Sequence, residues 1–148
     1  EEQLHCYTQL GQGGDLRQAA SACHGGEGYL TWVKKVMWDC TSAIAYMASR
    51  PTPVVHMDIK PENIVVLNDT GAPHAVLVDF GVTQPVSRKM RMCGTAPYIS
   101  PECWARQPCS PKSDIFALGA VLFYLLNRGT AAFWHREVAS RAFAALHR

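Results

Sequence analysis

Four polar side chains near the middle of the chain have the types and spacing that phosphoryl transfer requires. Asp58, Lys60 and Asn63 lie within six residues of sequence, and Asp79 follows sixteen residues after Asn63. Transfer of a phosphoryl group needs a carboxylate to orient the attacking hydroxyl, a cation near the moving phosphate and oxygen ligands for magnesium, because its catalysis is mostly positioning and charge stabilisation. These four residues supply that set.

Two β-rich runs are predicted to position these side chains. Residues 64–67 and 74–78 are rich in Val, Ile and Leu, and the Asn-Asp-Thr-Gly stretch at 68–71 favours a hairpin turn between them. Such a hairpin presents Asn63 at one end and Asp79 at the other. The sequence therefore predicts that the two ends of the set lie on adjacent turns.

Helices are predicted for most of the remaining chain, so the expected fold class is α+β and mainly α-helical. A short helix is predicted over 15–22 and a long amphipathic helix over 29–49. Residues 115–126 are apolar nearly all round, which predicts a helix buried on every side and too short for a membrane. A last helix is predicted over 133–147. The residues of the long helix predicted to face the core are Leu30, Val33, Val36, Met37, Cys40, Ile44 and Met47.

Composition excludes several classes of function. The chain has 148 residues, 48% hydrophobic and 18% charged, which suits one globular core. A net charge of +2 with scattered Lys and Arg argues against a nucleic-acid partner. Six cysteines without paired C-x-x-C spacing predict reduced thiols and neither zinc nor disulfides. No apolar run approaches the roughly 18 residues of a membrane span, so an intracellular, cytoplasmic protein without a membrane partner is expected. The oligomeric state stays open.

Four motifs in order resemble the eukaryotic-type protein kinase family, in its serine/threonine-specific branch. The stretch HMDIKPEN at 56–63 resembles the catalytic loop, and DFG at 79–81 resembles the metal-binding motif. GTAPYISPE at 94–102 resembles the segment that ends in Ala-Pro-Glu, with Ser100 in place of alanine. SDIFALG at 113–119 resembles the start of the central buried helix. The resemblance covers nearly the whole chain.

The resemblance implies a partial protein kinase domain over 1–148 that contains the hinge and the larger, C-terminal lobe. The 148 residues contain no Gly-rich strand pair, strand lysine or partner glutamate of the smaller lobe. The smaller lobe and the end of the larger lobe are therefore expected to lie outside the chain, and the fragment alone is expected to show little or no turnover. The implied segments are the hinge at about 5–14, the catalytic loop at 56–63, the activation segment at 79–102 and the central helix at 113–128.

The resemblance also implies a role for each site residue. Asp58 would accept a hydrogen bond from a Ser or Thr hydroxyl of a protein substrate, Lys60 would contact the transferring phosphoryl group, and Thr95 would hydrogen-bond both. Asn63 and Asp79 would bind Mg²⁺. The residues implied to contact ATP are Thr8, Gln9, Gly11, Asp15, Glu62 and Val65.

Simpler interpretations stay open for some of these residues. Asp15 alternatively serves only as a helix N-cap, Val65 as an ordinary core residue of a strand, and Thr95 as a turn threonine. By the same resemblance, His56 is expected to pack on Phe80 and to stay away from phosphate.

Two departures from the family pattern carry predictions of their own. Glu102 normally pairs with an arginine late in the larger lobe, so it is expected to be a half-buried carboxylate without its usual partner. Met57 replaces an arginine that binds phosphate on the activation loop in many relatives. Activity is therefore expected not to need phosphorylation of Thr83 or Ser87.

Three functional interpretations compete. The favoured one is a serine/threonine protein kinase that transfers the ATP γ-phosphate with Mg²⁺. A pseudokinase or binding module with the same fold is the second, since the deciding lysine and glutamate are not in the sequence. A small-molecule phosphotransferase is the third, and Lys60, the DFG motif and residues 94–102 argue against it.

Overall fold

Helices and two small sheets form the part of the chain that the computed structural model describes, residues 11–67, 73–87 and 93–131. This is the coarse α+β, mainly helical architecture that the sequence predicts. Single 3₁₀ turns at Pro61–Asn63 and Ala96–Tyr98 lie on either side of the candidate site. In chain order the elements are α1 (Leu16–Cys23), α2 (Tyr29–Ala48), β1 (Val54–Val55), β2 (Ile64–Leu67), β3 (His74–Leu77), β4 (Gln84–Pro85), α3 (Pro101–Trp104) and α4 (Pro111–Leu126).

The long helix predicted over 29–49 is confirmed as α2, but one of its predicted core residues is exposed. Leu30 keeps 62% of its surface, whereas Val33, Cys40 and Ile44 are buried. Successive helical residues are about 100° apart, which puts Leu30 roughly 80° from the centre of the buried stripe. The helical period was therefore right, and the predicted stripe was one residue too wide.

The prediction that α4 is buried on every side is wrong. Its face with Ala117, Leu118 and Val121 is buried against α2 and neighbouring elements. Ile115 and Phe123, on another face, are 47% and 45% exposed. An all-round apolar sequence specifies that a helix can be buried, but only the tertiary arrangement determines how many sides have a packing partner among the described elements.

The predicted hairpin pairs β2 with β3 in antiparallel register, from Ile64 opposite Leu77 to Leu67 opposite His74. Its predicted turn at 68–71 lies outside the described residues. One further backbone bond, from Val78 N–H to the Asn63 carbonyl at 2.9 Å, extends the ladder toward the site. This bond brings the chain at Asp79 alongside Asn63.

A second sheet joins the segments that flank the catalytic loop and the DFG motif. In it β1 and β4 pair antiparallel, with Val54 opposite Pro85 and Val55 opposite Gln84. Each strand is only two residues long. Such short strands have no alternating pattern for sequence analysis to detect.

Two cysteines contradict the prediction of reduced thiols throughout. Cys103 of α3 and Cys109 form a disulfide across a separation of six residues, with their Cα atoms 5.4 Å apart. The turn after α3 brings them together, and this spacing matches no pattern that signals a disulfide. Cys23 and Cys40 are free thiols, and the Cys93 sulfur accepts a hydrogen bond from Gln84 Nε2 at 3.3 Å. No helix within the described ranges is long and apolar enough to cross a membrane.

Candidate active site

A buried carboxylate on α4 holds the loop that carries Asp58. Asp114, 2% exposed, accepts hydrogen bonds from His56 N–H at 2.8 Å and from Met57 N–H at 3.1 Å. Met57 has a φ of +73°, a left-handed conformation that non-glycine residues seldom adopt. The two bonds from Asp114 hold the backbone in this conformation immediately before Asp58.

His56 fixes the loop from the other side. Its ring is fully buried, and it lies 4.9 Å from the Phe80 ring at a tilt of 52°, which confirms the predicted packing. His56 Nδ1 accepts from Asp58 N–H at 3.3 Å, so Nε2 carries the proton and donates to the Val78 carbonyl at 3.1 Å. One imidazole thus connects the catalytic loop to the segment that leads to Asp79.

Asp58 lies at the centre of a closed hydrogen-bond network. Its Oδ2 accepts from Lys60 Nζ at 2.7 Å and from Asn63 Nδ2 at 2.9 Å, and its Oδ1 accepts from Thr95 Oγ1 at 2.7 Å. Lys60 Nζ also donates to Thr95 Oγ1 at 3.0 Å. The structure therefore brings together four of the residues that the sequence singled out, from two segments 32 residues apart at their nearest (95 − 63).

The network keeps Asp58 ionised. Partial burial raises the pKa of its carboxyl, but the hydrogen bonds from Lys60 and Thr95 and the charge of Lys60 outweigh burial and leave the pKa below its usual value. At neutral pH this side chain is a carboxylate. It is therefore able to accept a hydrogen bond and then a proton.

Asn63 and Asp79 both offer oxygen atoms near the network. Asn63 Nδ2 donates to the Asp58 carbonyl at 2.9 Å as well as to its carboxylate, and no described residue donates to Asn63 Oδ1. Asp79 is exposed, has a φ of +62°, and accepts from Gly81 N–H at 3.3 Å. Among the described contacts none joins the Asp79 carboxylate to the side chain of Asp58 or Asn63. The hairpin alone places these residues side by side.

The segment at 11–15 lies against β2. Gly13 N–H donates to the Val66 carbonyl at 2.9 Å, and Asp15 forms a β-bridge with Val65. A Cβ on Gly11 would overlap the Val65 side chain, so only glycine fits this approach. The half-buried Val65 therefore lies against the end of the predicted hinge, whose residues Thr8 and Gln9 fall outside the described ranges.

Asp15 is a helix N-cap, as the simpler interpretation predicted. It accepts from Gln18 N–H at 3.0 Å, and the Gln18 side chain accepts from Asp15 N–H at 3.2 Å, which completes a capping box on α1. Its carboxylate also binds Arg17 at 2.9 Å. The cap uses Oδ1 and the ion pair with Arg17 uses Oδ2, and contact of Asp15 with the ATP ribose stays a prediction.

Glu62 faces α1 through an ion pair that sequence analysis missed. Arg17 Nη1 lies 3.2 Å from Glu62 Oε1, while Arg17 Nη2 binds Asp15. Arg17 thus bridges the cap of α1 and the 3₁₀ turn of the catalytic loop. The two carboxylates are far apart in sequence, so only the tertiary fold reveals the bridge.

The segment around Thr95 requires glycine beside it. Gly94 has a φ of +114°, and a Cβ there would lie 2.5 Å from the Met57 carbonyl oxygen. This close approach sets Thr95 against Asp58. Glycine spacing in the motif is the sequence signal that could have identified the contact.

Glu102 has found a replacement for its expected partner. Its Oε1 accepts from Ser113 Oγ at 2.6 Å, at the start of α4. The half-buried carboxylate is therefore hydrogen-bonded to a hydroxyl, and no arginine among the described residues pairs with it. The Met57 side chain is buried beside Val55 and the disulfide cysteines, and its regulatory consequence stays a prediction.

Comparison with known proteins agrees with this geometry. The family model described as the protein kinase domain matches residues 1–148, and the chain belongs to this family. Serine/threonine-protein kinase Sgk2 of Rattus norvegicus is 35% identical over 113 residues, which cover 74% of this chain and 29% of the relative.

Two other relatives give a similar picture. Serine/threonine-protein kinase Sgk3 of Rattus norvegicus is 36% identical over 114 residues, 74% of this chain and 22% of the relative. Calcium/calmodulin-dependent protein kinase type I of Schizosaccharomyces pombe is 29% identical over 129 residues, 84% of this chain and 37% of the relative. The chain thus spans between 22% and 37% of the length of these relatives.

Proposed function

We propose that the protein is an ATP-dependent protein kinase that phosphorylates Ser and Thr hydroxyls of other proteins. The observation that carries this proposal is the closed network in which Lys60, Asn63 and Thr95 all hydrogen-bond the Asp58 carboxylate. Membership of the protein kinase family and the serine/threonine kinases among the relatives support it.

Asp58 orients the hydroxyl that attacks. Its pKa is low, so the carboxylate accepts the hydroxyl hydrogen bond throughout the neutral range and takes the proton late in the transfer. Thr95 holds Oδ1, and Lys60 and Asn63 hold Oδ2. These bonds fix the direction of the carboxylate before any substrate arrives, which is the positioning that this chemistry requires.

Lys60 supplies positive charge next to Asp58. An ammonium group has three N–H donors, and in the described contacts Lys60 Nζ uses two of them, on Asp58 and Thr95. The third is available for an oxygen of the phosphoryl group. Lys60 would thereby contact both the transferring phosphoryl group and Asp58, which orients the substrate hydroxyl.

Asn63 Oδ1 and the Asp79 carboxylate form the donor set for Mg²⁺. Both are hard oxygen donors, which suit this cation, and Asn63 Oδ1 has no hydrogen bond from a described residue. When bound there, Mg²⁺ would neutralise charge on the phosphates of ATP. On the same proposal Val65 packs under the adenine, Asp15 binds the ribose, and Gly11 contributes backbone groups to the base.

The remaining assignments rest on the same proposal. Thr8 and Gln9 contact the base, and Glu62 lies beside the nucleotide. The chain is the hinge and larger lobe of the kinase domain, and parts that cover the phosphates come from outside it. We assign the protein to the inside of the cell, with a protein as substrate.

The test is transfer of labelled phosphate from [γ-³²P]ATP to a general protein substrate by the complete protein. Loss of a catalytic base typically costs about 10²- to 10⁴-fold, so Asp58→Asn is expected to lower kcat by that amount. Glu27→Gln, an exposed loop carboxylate, serves as the matched control and keeps the wild-type rate. Equal rates for Asp58→Asn and wild type refute the proposal. Nucleotide binding without any transfer identifies a binding module instead.

A further inference from the structure

The disulfide between Cys103 and Cys109 lies under a short turn next to the candidate active site. Its Cα atoms are 5.4 Å apart, within the span of roughly 4.4–6.8 Å that a disulfide requires. Both cysteines are buried, each 3% exposed, whereas residues 105–108 of the turn between them are all exposed. Exposed turns open locally at a low cost in free energy, so a small reagent is able to reach the bond.

The disulfide packs against the loop that carries Asp58. Met57, the residue before Asp58, has its side chain in the same buried cluster as both cysteines. Two residues of the segment around Thr95 pack against this cluster as well. The cluster and these neighbours consist of Val55, Met57, Cys93, Ile99, Cys103 and Cys109. The bond therefore lies against both segments that form the hydrogen-bond network of Asp58.

Helix α4 provides a second connection from the disulfide to the same loop. Cys109 immediately precedes Ser110, the N-cap residue of α4. Asp114, in the first turn of α4, accepts from the Met57 N–H at 3.1 Å. The disulfide thus ties α3 to the start of the helix whose carboxyl holds the loop before Asp58.

Little room is available for the two sulfur atoms to separate. The cavity beside them has a volume of about 10 Å³, and Met57, Cys103 and Asp114 are among the residues that line it. This is roughly the room that one water molecule needs. Two thiols take more space than one disulfide, because atoms that are not bonded stay further apart than bonded ones. Close-packed interiors transmit such a change, so cleavage of the bond is expected to displace Met57.

From this arrangement we infer that the Cys103–Cys109 bond is a redox switch, which holds Asp58 in place while it is intact and loosens the loop when it is reduced. The inference rests on the proposed function, which assigns a kinase to the inside of the cell. Disulfides there are usually transient and either catalytic or redox-sensing, because cellular thiols are kept reduced. Neither cysteine belongs to the proposed catalytic set, so a sensing role remains.

The chemical step is thiol–disulfide exchange with a dithiol reductant. One thiolate of the reductant attacks a sulfur of the bond, the S–S bond breaks, and a mixed disulfide forms. The second thiol of the reductant then displaces the protein sulfur. Two electrons and two protons pass to the pair, which leaves Cys103 and Cys109 as thiols and the reductant as a disulfide. Oxidation by a small disulfide reverses the step.

The test holds the complete protein in mixtures of reduced and oxidised dithiothreitol. Alkylation of thiols and mass spectrometry give the fraction of the bond that is intact, and phosphate transfer gives kcat and the KM for ATP. Reduction is expected to lower kcat by roughly 10-fold to 100-fold, since a misplacement of about 1 Å at a catalytic group costs about 100-fold. None of the described residues assigned to ATP belongs to the disulfide cluster, so the KM for ATP should stay unchanged.

Two measurements distinguish a switch from a simple loss of folding. Circular dichroism is expected to be the same in both forms, and re-oxidation should restore kcat. The double variant Cys103→Ser and Cys109→Ser should have the kcat of reduced wild type in every mixture. Cys23→Ser is the matched control, because it removes an exposed thiol outside the cluster and should respond as wild type does.

Limited digestion with trypsin separates this inference from the kinase proposal. Arg106 lies in the exposed turn that the bond closes, so cleavage after Arg106 should be faster in the reduced form. If neither form transfers phosphate, the kinase proposal fails, and reversible reduction with faster cleavage still supports a redox-sensitive pair. A bond that no mixture breaks, two thiols in every mixture, or complete reduction with unchanged kcat in an active kinase overturns the inference.

Discussion

Two aspartates hold backbone N–H groups on either side of the candidate site, in opposite electrostatic surroundings. Asp114 on α4 accepts from two N–H groups of the catalytic loop and has no ion-pair partner among the described residues. Asp39 on α2 accepts from Ala75 N–H of β3 at 3.0 Å and also from Lys35 Nζ at 2.6 Å. We call each of these aspartates a clamp. Asp114 is a buried clamp without a described ion-pair partner, and Asp39 is a clamp that is paired with Lys35.

The difference appears in how easily each carboxyl ionises. Burial raises the pKa of Asp114, and its two backbone hydrogen bonds offset burial only in part. Burial also raises the pKa of Asp39, but the hydrogen bond and charge of Lys35 with the Ala75 N–H outweigh it, so the pKa is lowered. Burial therefore opposes ionisation of Asp114, whereas Lys35 favours ionisation of Asp39. The comparison teaches that the loop before Asp58 is held by backbone hydrogen bonds to a carboxyl that has no described ion-pair partner, whereas the hairpin is held by a carboxylate that has one.

The largest effect is expected from Asp114→Ala. It leaves two buried N–H groups without an acceptor and frees Met57 from its left-handed conformation, so the free energy of unfolding should fall by about 3 kcal/mol. Displacement of Asp58 should lower kcat/KM by roughly 100-fold. Urea denaturation and the phosphate-transfer assay measure the two effects. A variant with wild-type kcat/KM would show that Asp114 does not position the loop.

A smaller effect is expected from Gly94→Ala, which tests the close approach of residue 94 to the Met57 carbonyl in the loop before Asp58. The new Cβ meets the Met57 carbonyl at 2.5 Å and sits on a φ of +114°, so the free energy of unfolding should fall by about 2 kcal/mol. Gly119→Ala in α4 is the control, because no atom beyond its chain neighbours and the nearby backbone of its own helix lies within 4 Å of its Cβ position. This control should be stabilising by roughly 0.5–1 kcal/mol. Thermal denaturation of both variants measures these changes in stability. An unchanged stability of Gly94→Ala would show that the close approach of Gly94 to the Met57 carbonyl does not constrain this position.

Asp39→Asn should have a modest effect on stability and almost none on catalysis. Loss of the balanced charge is expected to lower the free energy of unfolding by about 1 kcal/mol, as is typical of a hydrogen bond with a partly exposed ion pair. The kcat of the complete protein should stay within roughly twofold of wild type, because Asp39 touches β3 and not the catalytic loop. A large loss of kcat without unfolding would break the contrast between the two clamps.

The smallest effect is an opposite pH dependence of the two clamps. The folded-state pKa of Asp39 lies below 3.8, so its contribution to stability is present above that pH and is lost as pH falls through the folded pKa. The folded-state pKa of Asp114 lies above 3.8, so its contribution is present below that pH and is lost as pH rises through the folded pKa. Unfolding free energies of Asp39→Asn and Asp114→Asn, each subtracted from wild type across acidic pH, should change in opposite directions. Parallel curves would contradict the assignment.

Local sequence patterns predicted the elements that position the site. Helical spacing of apolar residues located α2, and the β-rich runs located β2 and β3, because these signals depend only on periods of 3.6 and 2. The resemblance of the motifs to the protein kinase family predicted that Thr95 hydrogen-bonds Asp58 and Lys60, and the structure shows these bonds together with the bond from Asn63 to Asp58. Their proposed chemistry comes from the family resemblance and awaits the experiments described above.

Sequence analysis did not predict the contacts that depend on tertiary arrangement. The bridge from Arg17 to Glu62, the clamp of Asp114 on Met57 and the pairing of Cys103 with Cys109 have no periodic signal. The exposed face of α4 was missed for the same reason. An apolar residue records that burial is favourable, but it does not record which neighbour is present.

Metal binding at Asn63 and Asp79 tests the central claim most directly. Electron paramagnetic resonance of Mn²⁺, titrated into the complete protein with ATP, reports metal held at the nucleotide. Asp79→Asn is expected to weaken Mn²⁺ binding by at least the roughly tenfold that loss of an outer-shell partner costs, while Asp39→Asn binds as wild type does. Wild-type Mn²⁺ affinity in Asp79→Asn would contradict a phosphoryl-transfer site built on Asp58, Asn63 and Asp79.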